Sequence, residues 1–130
     1  MNNYLADTTL IIEHLRIAGN ATTFLVKFTP FISLVTIAEL IQGSKDKREQ
    51  NQVIKVCSGL SEVLLDRNIS EKALELMKKF CLSHGLQILD ALIAATALNS
   101  KFTLITDNVK HFKFIPGLKL LSHSEAFKKT

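Results

Sequence analysis

The run Ile88-Leu89-Asp90-Ala91-Leu92-Ile93-Ala94-Ala95-Thr96-Ala97-Leu98 sets the tightest limit on how this chain can fold. It carries one ionisable side chain, Asp90, among Ile, Leu and Ala. Ala and Leu favour a helix, and nothing in the run interrupts one. Apolar residues lie all round that helix rather than on one stripe, which predicts a helix covered on most sides. Ala94, Ala95 and Ala97 are small enough for close contact with a neighbouring sheet or helix. An ionised carboxylate in such surroundings needs a partner, a metal or a raised pKa. Asp90 reads as a helix cap just before the first turn, as part of a site, or as both. A helix start beside a sheet edge is also where ligands collect in α/β proteins. Whether other acids converge there decides between these readings.

The pattern on either side predicts strands alternating with helices. Tyr4-Leu5-Ala6 reads as a buried first strand ending at Asp7, followed by a helix over about Leu10–Ala18 and a stop at Gly19-Asn20. Asn20 can cap a second helix carrying Phe24, Leu25 and Phe28. Phe31-Ile32-Ser33 is a second strand after Pro30. Ser33 or Thr36 starts a helix through Glu39 that ends at Gly43. A helix from about Arg48 to Cys57 follows a polar stretch, and Val63-Leu64-Leu65 is a short third strand. Ser70 with Glu71 opens a long helix ending at Gly85. Phe102-Thr103-Leu104-Ile105-Thr106 is the clearest strand, and Leu118-Lys119-Leu120-Leu121 the last. Ser122 or Ser124 opens a terminal helix. This order predicts an α/β/α sandwich around a parallel sheet of four to five short strands. With 130 residues and no internal repeat, one domain over 1–130 is expected.

Composition narrows the function classes. Hydrophobic residues at 47% allow a substantial core without disulfides. Cys57 and Cys81 are isolated and read as buried thiols in a reducing compartment. Zinc spacing, a signal peptide and a bilayer-spanning run are all missing, so a cytoplasmic protein without a membrane partner is expected. The net charge of +4 suits a polyanionic partner but is modest for a nucleic-acid binder, and its basic residues are dispersed.

The acids carry more information. Asp7 and Asp107 fall at the C-terminal ends of the first and fourth strands, Asp90 near the start of the apolar helix, and Glu39 in the first turns after strand two. In an open parallel sheet, ligands bind beyond the carboxyl ends of the strands, especially where strand order reverses. Carboxylates about 4 Å apart repel by roughly 4 kcal/mol per pair at an effective dielectric near 20. Such a cluster calls for a cation, and hard oxygen ligands without Cys or His favour Mg²⁺ or Mn²⁺. Asp7 and Asp90 are the candidate metal ligands, and Thr8 and Thr106 can orient the acids. The chemistry implied is metal-assisted attack of water on a phosphodiester.

Four segments resemble the motifs of PIN-domain nucleases: Tyr4–Ile12, Thr36–Gly43, Leu89–Ala97 and Leu104–Phe112. Their order and spacing are similar to the VapC-type toxins of toxin–antitoxin pairs. The resemblance implies a Mg²⁺-dependent endoribonuclease acting on RNA, silenced by a protein antitoxin and forming a homodimer. It places Asp7, Glu39 and Asp90 on the family's acidic positions. Thr9 stands where the family often has Asn or Ser, and its hydroxyl can still bond a neighbouring carboxylate. The fourth position falls on Asn108 by register or on Asp107 by charge, and both remain candidates.

Other residues weigh less. His14, His84, His111 and His123 are scattered and read as surface or capping groups, with His111 placed to contact phosphate. Phe24, Leu25, Phe28, Ile11 and Ile12 read as core, or as an antitoxin groove if they are exposed together. No nucleotide-binding loop is present. Two alternatives stand: a non-catalytic PIN scaffold that binds RNA or protein, and a receiver-like phospho-acceptor domain. The second lacks the acidic pair it needs beside Asp7, and a haloacid-type phosphatase would want an Asp where Thr9 stands.

Overall fold

The structure, a computed structural model, describes residues 3–130. Strands β1 (Tyr4–Ala6), β2 (Phe31–Ser33), β3 (Glu62–Val63), β4 (Thr103–Ile105) and β5 (Lys119–Leu121) form one sheet, ordered β3-β2-β1-β4-β5. All four pairings are parallel. The connecting helices are α1 (Thr8–Arg16), α2 (Gly19–Phe28), α3 (Leu34–Gln42), α4 (Lys47–Ser58), α5 (Arg67–His84), α6 (Ile88–Ser100) and α7 (His123–Phe127), with a 3₁₀ turn at Val109–His111.

Alternation along the short strands divides the interior into two cores, because successive side chains leave opposite faces of a sheet. Leu5 and Leu104 join Ile69, Ala73 and Leu76 of α5 and Ala91, Ile93 and Ala94 of α6. Ala6, Ile32 and Ile105 face the other way, against Leu10 and Ile11 of α1, Phe24 of α2 and Val53 of α4. The result is the expected three-layer α/β/α sandwich. The alanines let α6 lie close to α5, and full burial of a side chain such as Ile93 contributes about 1.5–3 kcal/mol.

Topology then locates a crevice. The chain steps outward from β1 to β2 to β3, returns through α5 and α6, and adds β4 on the opposite side of β1. Strand order therefore reverses between β1 and β4, the place where open α/β sheets hold ligands.

Several boundaries differ from expectation, each for a local reason. The first helix begins at Thr8, immediately after Asp7. Ala18, not Asn20, precedes the second, because the N–H groups of Ile17 and Ala18 close α1 on Glu13 O and leave no room for a longer link. The third strand is Glu62–Val63, and Leu64 is exposed beyond it on the sheet edge. Asp66 rather than Ser70 caps α5, accepting from the Ile69 N–H at 2.8 Å, so the helix starts a turn earlier. Gly85 closes it at φ 68°, where a β-carbon would be strained. Cys57 is buried as expected, but Cys81 is exposed on α5. Ala91 and Ile93 to Ala97 of α6 are buried and Leu92 is partly so, while Ile88 and Leu89 at its start are exposed.

Candidate active site

Asp7 continues the β1 ladder by one residue, its N–H donating to Ile105 O at 3.1 Å. That bond fixes the side chain at the reversal point, 3% exposed. Its Oδ2 accepts the Thr106 hydroxyl at 2.7 Å, and Thr8 adds bonds from its backbone and its hydroxyl. Asp7 stands at the N-cap position of α1 without making the usual cap bond. Burial pushes its pKa up, and the hydrogen bonds only partly counter that.

Glu39 reaches the same place from the second turn of α3. Its pKa is raised first by burial and then by the negative charges of Asp7 and Asp90. Asp90 is the third residue of α6 rather than its cap; Gln87 holds that position and makes no side-chain cap bond. The Asp90 carboxylate is therefore free of capping and projects from the first turn. Burial raises its pKa most, Asp7 adds to the rise, and His111 opposes it from 3.3 Å between Nδ1 and Oδ2. The charge of Asp7 thus disfavours ionisation of both Glu39 and Asp90, and that of Asp90 disfavours ionisation of Glu39.

The last motif is arranged differently from the charge-based expectation. Asp107 does not enter the field of these acids. Its Oδ1 accepts the His123 N–H at 2.9 Å, its Oδ2 lies 3.1 Å from His123 Nδ1, and the side chain is 52% exposed. Asn108 sits nearer by hydrogen bonding: its N–H donates to Thr106 Oγ1 at 3.0 Å, the same hydroxyl that serves Asp7. Adjacent residues leave the strand end in different directions, which is why one position cannot stand for the other.

His123 corrects the reading of the histidines as surface groups. It is buried, with Nδ1 2.7 Å from Glu13 Oε1 and Nε2 3.1 Å from Thr9 Oγ1. Thr9 bonds no acid of the site; its hydroxyl instead accepts the Asp107 N–H at 3.2 Å. Thr9, Glu13, Asp107 and His123 form a tie between α1, the β4 end and α7. Glu13, Asp107 and His123 also present ligand atoms within 4.8 Å of one another. The spacing of Thr9 and Glu13, one helical turn apart, was the only sequence signal for this tie.

The donor set of Asp7, Glu39 and Asp90 suits a hard divalent cation. It is all oxygen, it is held by rigid elements, and its members repel without one. Thr36, one turn before Glu39, adds a fully buried hydroxyl that lacks a hydrogen-bond partner.

A parallel sheet with three carboxylates at its reversal point defines an α/β domain with an acidic site. The chain belongs to the PIN domain family, whose pattern matches residues 4–116. Ribonuclease VapC10 of Mycobacterium tuberculosis is 34% identical over 120 residues, covering 88% of this chain and 90% of that protein. Ribonuclease VapC19 of the same organism is 28% identical, covering 88% and 96%. Among solved structures, a toxin–antitoxin complex from Klebsiella pneumoniae matches with a TM-score of 0.75 at 27% identity, covering 92% of this chain and 97% of that one. VapBC2 from Rickettsia felis, bound to a DNA fragment from its promoter, matches with the same TM-score at 29% identity and the same coverage.

Proposed function

We propose that this chain is a metal-dependent endoribonuclease and the toxin of a toxin–antitoxin pair. The observation that carries the reading is the convergence of Asp7, Glu39 and Asp90, each with a raised pKa, at the point where strand order reverses. The names and partners of its relatives support the same reading.

Asp7 and Asp90 are the metal ligands in this proposal, with Mg²⁺ or Mn²⁺ as the ion. When bound, the ion supplies Lewis-acid stabilisation of charge on the scissile phosphate and lowers the pKa of a water. The chain's residues do the rest. Thr106 holds Asp7 through a hydrogen bond to Oδ2. Glu39 is the candidate proton acceptor, since a carboxylate with a raised pKa is a better base near neutrality. It takes a proton from the attacking water as the new P–O bond forms and the bond to the leaving ribose oxygen breaks, and that oxygen takes its proton from solvent. Asn108 completes the edge through the hydroxyl it shares with Asp7.

A groove of about 300 Å³ between α1, α3 and α4 suits an antitoxin segment. Ile12, Leu15, Leu40 and Val53 line it, and it opens onto Glu39. Of the apolar residues expected to form such a groove, Ile12 does, while Ile11, Phe24 and Leu25 are core. Fully exposed Leu82 on α5 is apolar surface for a second copy to cover, and a homodimer is part of the proposal. A cytoplasmic location suits an RNA substrate and two free thiols. Among the described residues, no helix is long and apolar enough to cross a membrane.

The test is cleavage of end-labelled RNA by the purified protein. Internal cuts in Mg²⁺, lost in EDTA and in Asp7→Asn, are expected. A well-folded protein that binds RNA and leaves it intact in both ions would instead identify a non-catalytic scaffold.

A further inference from the structure

A second cleft of about 250 Å³ runs from Asp90 away from the acidic field, between the end of α5, the start of α6 and the turn after β4. Its lining includes His84, Gln87, Lys110, His111 and Phe114. Three features distinguish it from a solvated crease.

The first is an aromatic platform. The His84 ring lies parallel to Phe114, with centroids 4.3 Å apart and planes at 13°. Phe80 meets both rings at steeper angles and ties the stack to the core. Ser83 Oγ lies 2.7 Å from His84 Nδ1 and holds the ring's rotation. Phe114 covers one face of the His84 ring, and the residue as a whole is exposed. The second feature is an uncommitted amide. Gln87 occupies the N-cap position of α6 without a side-chain cap bond, so its donor and acceptor remain available. The third is a basic border: the Lys110 ammonium lines the cleft, beside the His111 ring, which also touches Asp90.

We infer that this cleft is a nucleotide subsite, in which a base of single-stranded RNA stacks on His84 beside the Gln87 amide while Lys110 and His111 meet the flanking phosphates. Bases of single-stranded RNA are recognised by stacking on aromatic rings, His included, and by hydrogen bonds to their edges. Phosphates are met by basic side chains. The cleft's continuity with Asp90 places such a base one short step along the strand from the candidate scissile bond. The inference rests on the ribonuclease reading and adds the determinant of which base stands next to the cut.

The experiment uses the full chain in EDTA with a short single-stranded oligoribonucleotide carrying 2-aminopurine, read by fluorescence and anisotropy. Stacking quenches the probe in the wild type. His84→Ala should weaken binding roughly 5- to 150-fold, the range for loss of one base–aromatic stack, and abolish the quench. His84→Phe should keep both within a few-fold, which separates stacking from any effect on folding. Gln87→Ala should narrow the affinity differences among oligonucleotides that vary at one position. Equal affinity and equal quench for wild type and His84→Ala overturn the subsite, including the case where the cleft serves a protein partner. If that result accompanies Mg²⁺-dependent RNA cleavage by the wild type, the ribonuclease reading survives. A wild type that neither binds nor cleaves RNA overturns both.

Discussion

Thr106 donates its hydroxyl to Asp7 Oδ2 at 2.7 Å, from strand ends that are neighbours in the sheet and 99 residues apart in sequence. The bond partly offsets the burial that raises the Asp7 pKa. Thr106→Val keeps the shape and removes the donor. It should raise that pKa further and cost about 1.5–3 kcal/mol at neutral pH, the usual worth of a hydrogen bond to a charged group. Thr106→Ser should behave as the wild type. Urea denaturation of the three proteins measures this, and an unaltered midpoint for the valine variant would refute it.

The raised pKa values of Asp7, Glu39 and Asp90 also fix the sign of a pH effect. A carboxyl group whose pKa is higher in the folded state favours folding while protonated. That contribution is full below the ordinary values of 3.8 for Asp and 4.5 for Glu, and is lost as pH rises through the folded values. In EDTA, stability should therefore decline as pH climbs from about 4 toward neutrality. Glu39→Gln should flatten the decline. Thermal melts across that range decide it; a rise in place of the decline would show that burial does not hold these carboxyl groups above their ordinary pKa values.

Asp90→Asn removes one member of the repelling set while keeping its shape. Its melting temperature in EDTA should equal or exceed that of the wild type at neutral pH. Mg²⁺ should stabilise the wild type by about 2.7 kcal/mol at a hundredfold excess over its dissociation constant. The variant should show much less of that increment and should not cleave RNA. An equal Mg²⁺ shift in both proteins would remove Asp90 from the metal site.

Asp107 and Asn108 should separate by phenotype. Asp107→Ala releases His123, so it should lower thermal stability and leave cleavage near wild type at temperatures where both are folded. Asn108→Ala should do the opposite, slowing cleavage with little change in melting. Loss of cleavage in Asp107→Ala with unchanged melting would reverse the assignment.

The residues that were legible from sequence are those whose local surroundings are one-sided. Asp90 stands alone in an apolar run, and Asp7 follows a short buried strand, so topology alone brought them to one edge. The direction of Asp107 has no local trace, because a strand-end carboxylate says nothing about where it points and the group that holds it, His123, lies on another helix. The tie through Glu13 and Thr9 is likewise a tertiary arrangement with almost no local trace. Helix starts went wrong where two capping residues competed: Asp66 prevailed over Ser70, whose hydroxyl donates back to Asp66 O. At α3, where Ser33 and Thr36 both offer a start, Ser33 is the cap, its hydroxyl accepting the Val35 N–H.

The sheet order has a consequence for the order in which this chain acquires its properties. β1 precedes the other four strands in the chain yet lies in the middle of the sheet, and the neighbour that completes the crevice, β4, follows β2 and β3. Until Thr103–Ile105 dock, β1 has an open edge and Asp7 lacks Thr106. During vectorial synthesis the amino-terminal half can collapse around β1, β2 and β3, but the pairing that spans nearly the whole sequence must wait. A ribosome-bound fragment ending before residue 103 therefore carries Asp7, Glu39 and Asp90 without the strand that holds them in register.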